Sequence, residues 1–100
     1  MTPYQRGVRL EYLARQFLQQ RGYVVVRSAG SHGAIDLVAL NDREIVLIQV
    51  KQSGQSLTAA LTQLRAVPGP RRTRRQVWVY HRACGRRTAH WEIIRAERRP

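Results

Sequence analysis

The stretch Ala34-Ile35-Asp36-Leu37-Val38-Ala39-Leu40-Asn41-Asp42-Arg43-Glu44-Ile45-Val46-Leu47-Ile48-Gln49-Val50-Lys51 divides into two strand-like runs, 34–40 and 44–51, around the polar turn 41–43. A turn that short makes the two runs antiparallel neighbours. In the second run Ile45, Leu47, Gln49 and Lys51 point one way while Val46, Ile48 and Val50 point the other. Both faces begin apolar, the pattern of a central strand covered on two sides. Only its far end turns polar. Gln49 and Lys51 share a face there, and Asp36 on the neighbouring strand is within reach of them.

Upstream, Thr2-Pro3-Tyr4-Gln5 has the form of a capping box with proline in the first helical position. A helix is expected from Pro3 to about Arg21. Tyr4, Val8, Leu10, Leu13, Ala14, Phe17 and Leu18 recur at three- and four-residue steps, and Gly22 supplies the stop. Glu11 falls beside Gly7, Ala14 and Leu18, at the edge of the buried stripe. Tyr23–Arg27 is a third strand-like run, followed by the loop Ser28–Gly33. Downstream, a helix over Ser56–Val67 ends at Pro68, and strands follow over Gln76–Arg82 and Ala89–Arg95. Residues 96–100 are expected to fray. The order α-β-β-β-α-β-β describes an α/β protein, a mixed sheet of about five strands flanked by helices. Residues 1–100 form one domain, there being room for one core.

The charge is extreme. Of 18 basic residues Lys51 is the only lysine, acidic residues number six, and the net charge is +12. A hydrophobic content of 43% excludes a disordered basic tail. Residues 1–64 carry net +3 and residues 65–100 net +9. Arg71, Arg72, Arg74 and Arg75 crowd one segment after Pro68-Gly69-Pro70. Guanidinium groups bind phosphate oxygens bidentately and release condensed counterions, so a polyanion is the expected partner. No apolar run approaches the ~20 residues of a membrane span, and Met1–Tyr12 lacks the apolar core of a secretory signal, so an intracellular location is expected. Single Cys84 provides neither a disulfide nor a zinc site. His81 and His90 accompany Trp78, Tyr80 and Trp91 in the last two strands, where packing is their expected role.

Glu11, Asp36, Gln49 and Lys51 together offer two carboxylates, an amide oxygen and an ammonium at the polar end of a buried strand. Hard Mg²⁺ takes such oxygens and keeps several waters. With Lys51 as a compact charge, the set suits metal-assisted phosphodiester hydrolysis. The alternative is a plain charge pair between Asp36 and Lys51.

The run Val24–Ala39 with Val46-Leu47-Ile48-Gln49-Val50-Lys51 resembles the archaeal-type Holliday junction resolvases of the PD-(D/E)XK nuclease superfamily. Arg6-Gly7-Val8-Arg9-Leu10-Glu11 resembles their N-terminal Gly-x3-Glu helix. The resemblance covers residues 6–51 and is only architectural beyond. It implies a restriction-endonuclease-like fold and a homodimer that nicks four-way DNA junctions symmetrically with Mg²⁺ or Mn²⁺. Glu11, Asp36 and Gln49 match its metal-site residues, Lys51 its catalytic lysine, Ser31 its loop serine and Arg27 a phosphate contact.

One position departs from the pattern. Gln49 stands where an acid is usual, an arrangement similar to that of Mrr-like restriction enzymes. Its amide oxygen can still ligate, with the Val50 carbonyl beside it. Arg6, Arg9, Arg27, Ser31, His32, Arg71, Arg72, Arg74 and Arg75 are the expected DNA contacts. Alternatives to a junction resolvase are an Mrr-like restriction or repair endonuclease, and a non-catalytic basic nucleic-acid-binding protein in which Gln49 marks a dead site.

Overall fold

The structure, a computed structural model, describes residues 1–28 and 33–97. Helix α1 (Pro3–Gln19) opens on the expected capping box, in which the Gln5 N–H donates to Thr2 Oγ1 at 3.1 Å and the Thr2 N–H donates to Gln5 Oε1 at 2.9 Å. The helical turn carries on to Gly22, whose φ of 87° lets the chain reverse where a side chain would be strained. Strands β1 (Val24–Arg27), β2 (Leu37–Leu40) and β3 (Ile45–Gln52) follow. Then come α2 (Thr58–Ala66), β4 (Thr73–His81) and β5 (His90–Arg95), the order expected from the sequence.

The five strands lie in the sheet order β1-β2-β3-β4-β5. All neighbours are antiparallel except β3 and β4, whose connection passes through α2 and so makes them parallel. Strand β3 is central and two-sided. Val46 and Ile48 enter a cluster with Ala14 and Leu18 of α1, while Leu47 enters another with Ala60 and Leu64 of α2. In the α1 layer Phe17 meets Trp78 edge-on at 5.5 Å, and Trp78 meets Trp91 at 5.6 Å. These aromatics are packing groups, as the sequence implied. Helix α2 is short and lies mainly over β3 and β4. Val24, Val26 and Leu40, on the same side of the sheet, are left 62%, 54% and 37% exposed.

Downstream of β3, boundaries moved at β4 and at the tail for physical reasons. Strand β4 begins at Thr73 rather than Gln76, because eight residues of β3 need parallel partners from Thr73 onward. The tail does not fray at residue 96. Ala96 is fully buried, and its N–H donates to the Arg75 carbonyl at 2.7 Å. Residues 98–100 lie outside the described residues.

Candidate active site

Strand β2 was expected from Ala34, yet its ladder with β3 begins only at Leu37. Leu37 is the register partner of Ile48, and the Asp36 N–H also donates to the Ile48 carbonyl at 2.8 Å. Two residues stand against one, the count of a β-bulge, which re-aims a side chain and ends pairing. Asp36 therefore turns its carboxylate along the edge of β3. Its Oδ2 accepts from the Val50 N–H at 2.8 Å. In a strand the N–H and C=O of one residue point to the same side, so the Val50 carbonyl lies along this opened edge too.

Gln49 and Lys51 leave β3 on the face of Leu47, and both are half-buried. Gln49 Oε1 is buried and has no hydrogen-bond partner, a costly state for an amide oxygen. No ion pair joins Asp36 to Lys51. The nearest polar partner of the carboxylate is backbone, and Lys51 acts on it only through space. The simple charge-pair explanation of this lysine therefore fails.

Glu11 approaches from α1. Its Oε1 accepts from Arg27 Nε at 2.9 Å, an ion pair the sequence did not indicate. Residues Glu11, Arg27 and Asp36 line one cavity of about 190 Å³ with Tyr4, Gly7 and Ser28. Burial pushes the Asp36 pKa up, the Val50 N–H opposes it, Glu11 pushes it further up, and Lys51 and Arg27 pull it down. The Arg27 guanidinium is held more firmly charged by its bond to Glu11. Among the described residues no three His, Cys, Asp or Glu side chains are grouped to share a metal ion. Among the described residues Glu11 and Asp36 are the two carboxylates here, so any metal held between them would also draw on Gln49, the Val50 carbonyl and water.

The expected DNA contacts divide. Arg9, Arg71 and Arg72 are exposed and Arg6 is half-buried on α1. Arg74 is exposed but donates from Nε to Glu44 Oε1 at 2.9 Å. Arg75 is not a surface contact: only 6% exposed, it donates from Nε and Nη2 to the Val67 carbonyl at 2.9 and 2.6 Å. Val67 is the C-cap of α2, so this guanidinium sits at the negative end of the helix dipole. Arg74 and Arg75 belong to strand β4, and the alternation Arg75, Val77, Val79 on one buried face was the signal that could have revealed it. Ser31 and His32 lie outside the described residues.

The family model described as archaeal Holliday junction resolvase (Hjc) matches residues 2–63, over half of the chain. Two helices on a five-strand mixed sheet make this an α/β protein, and the chain belongs to the archaeal Holliday junction resolvase family. The crystal structure of Archaeoglobus fulgidus Hjc, a Holliday junction resolvase from an archaeal hyperthermophile, has the same fold. It superposes with a TM-score of 0.70 at 23% identity, over 91% of this chain and 73% of that one.

Proposed function

We propose that this chain is a metal-dependent endonuclease that cuts four-way DNA junctions as a homodimer. The observation that carries the reading is the unpartnered, buried Oε1 of Gln49 on the strand whose next residue anchors the Asp36 carboxylate. An oxygen left without a hydrogen is a misfit in a core and a fit beside a hard cation. Asp36, Gln49 and the Val50 carbonyl would hold Mg²⁺ or Mn²⁺, with Glu11 across the cavity. When bound, the ion supplies polarisation of the scissile phosphate and a more acidic water.

The side chains do the rest. Lys51 presents a compact charge that orients the attacking water and steadies charge on the phosphate. Arg27, steered by Glu11 through its Nε, is exposed beside the Asp36 cavity and suits a neighbouring phosphate. Arg6, Arg9, Arg71 and Arg72 attract the flanking backbone, and Ser31 and His32, a few positions after Arg27 in the sequence, are further contacts of this reading. Two symmetric nicks need two sites, which a two-fold dimer provides.

The test is a four-way-junction cleavage assay with Mg²⁺ and Mn²⁺ beside gel filtration of the protein. Paired symmetric nicks at concentrations that spare linear duplex, from a dimer, are expected. Junction binding without cleavage in either metal would favour a second reading, a non-catalytic binder, for which Gln49 in place of an acid is the specific observation. Preference for linear or modified duplex would favour an Mrr-like restriction or repair enzyme.

A further inference from the structure

Helix α1 lies on the sheet through Ala14 and Leu18, leaving two flanks. One flank carries Tyr4, Gly7 and Glu11 into the cavity of Asp36. The other carries Arg6, Arg9, Leu10 and Leu13 into a separate cleft of about 450 Å³, closed on its far side by Tyr80 and Arg82. No carboxylate lines this cleft among the described residues. Among the described residues Arg6, Arg9 and Arg82 have no ion-pair partner there either, although three ion pairs form elsewhere. Three guanidinium groups brought together without an acid repel one another, a cost that an anion would relieve.

We propose that this cleft holds a second stretch of DNA backbone, separate from the strand at the Asp36 site. The inference rests on the nuclease reading above and adds Arg82 and the turn 82–89 to the DNA surface. Phosphate oxygens suit the fork of each guanidinium, and the apolar floor of Leu10 and Leu13 with the Tyr80 ring suits sugar and base surfaces. A small free anion would leave that floor unused. A membrane surface would need a convex apolar face, and this site is concave. The two cavities lie on opposite flanks of one helix, about 10 Å across, so one protein copy spans more than the strand it cuts. A branched substrate offers two such strands close together.

Cys84 gives a direct test, being the only cysteine of the chain, exposed, and one residue from Ala83 in the cleft wall. The full-length protein alkylated at Cys84 with an azidophenacyl photo-crosslinker is mixed with a four-way junction in EDTA. Cross-linking to a junction strand is expected, with polyglutamate a poor competitor. Arg82→Gln and Arg9→Gln should each weaken junction binding and lower the slope of log K against log salt by about 1. Each should also reduce the cross-link, while Arg65→Gln on α2, with the same loss of charge, should keep it. Unchanged affinity, slope and cross-link in Arg82→Gln would overturn the cleft. Displacement by polyglutamate would overturn it in favour of an acidic protein partner. Wild-type protein that binds no DNA at all would overturn the nuclease reading along with it.

Discussion

The Asp36 side chain takes the Val50 N–H at 2.8 Å, the hydrogen bond that a continuing β2 backbone would otherwise have made. The bulge at Asp36 ends the β2 ladder at Ile48, four residues before β3 ends, and the carboxylate takes the N–H of Val50 just beyond it. One acidic side chain thus satisfies an exposed strand edge while keeping its second oxygen for other chemistry. Fold and site meet at this hydrogen bond.

Replacing that carboxylate by its amide separates the two roles. Asp36→Asn keeps an oxygen for the Val50 N–H and removes the charge. Burial raises the Asp36 pKa, so ionisation in the folded protein is disfavoured relative to the unfolded chain. That cost is fully present above the folded pKa and disappears below the unfolded value of about 3.9. In metal-free buffer Asp36→Asn should therefore have the higher melting temperature at pH 7, and the advantage should shrink to nothing near pH 3. Junction cleavage should be lost throughout. A lower melting temperature at pH 7 would show that the carboxylate is a structural group first.

Gln49→Glu makes the opposite change, adding charge beside Asp36. Without metal, like charges at close range should lower the melting temperature and drive the Asp36 pKa further up. Added Mg²⁺ or Mn²⁺ should restore stability by mass action, more in the variant than in the wild type. More ligand charge tightens a hard-cation site, so the metal concentration for half-maximal cleavage should fall by about tenfold. Thermal melts with and without metal check the first part, and a metal titration of cleavage checks the second.

The sequence carried the element order because hydrophobic period alone separates α1, with its three- and four-residue steps, from β3, with its two apolar faces. It marked Asp36, Gln49 and Lys51 as candidates because polar groups at the end of such a strand are expensive. The bulge left no trace, since residues 34–40 read as one continuous strand and nothing local marks where pairing stops. The Glu11–Arg27 pair was hidden for another reason. It joins α1 to β1 across sixteen positions of sequence, and only the packed helix brings the two charges together. Arg75 was misread because a run of arginines looks solvated until the strand's alternation is extended through it.

Lys51 should matter for rate and little for binding. Lys51→Ala removes a charge that acts where negative charge develops, a loss of about 10²–10³ in rate for a single such group. Junction affinity should change by no more than one salt-bridged phosphate would account for, and the melting temperature should hold. Single-turnover cleavage at saturating protein, set beside gel-shift titration, separates the two effects. A variant that cuts at the wild-type rate would remove Lys51 from the mechanism.

Two arginines four positions apart should behave in opposite ways. Arg71 is exposed in the turn before β4, and Arg75 is buried with two donors on the Val67 carbonyl. Arg75→Ala leaves the C-cap of α2 without its partner and opens a hole under the helix. Hydrogen bonds from a charged donor are worth about 1.5–3 kcal/mol, so urea unfolding should report a loss of that order. Arg71→Ala should stay within about 0.5 kcal/mol of wild type, as surface changes do. Its effect should appear in DNA binding, as a salt slope lower by about 1. If Arg75→Ala were as stable as wild type, the guanidinium would be free to swing out to phosphate, and the buried placement would not govern its role.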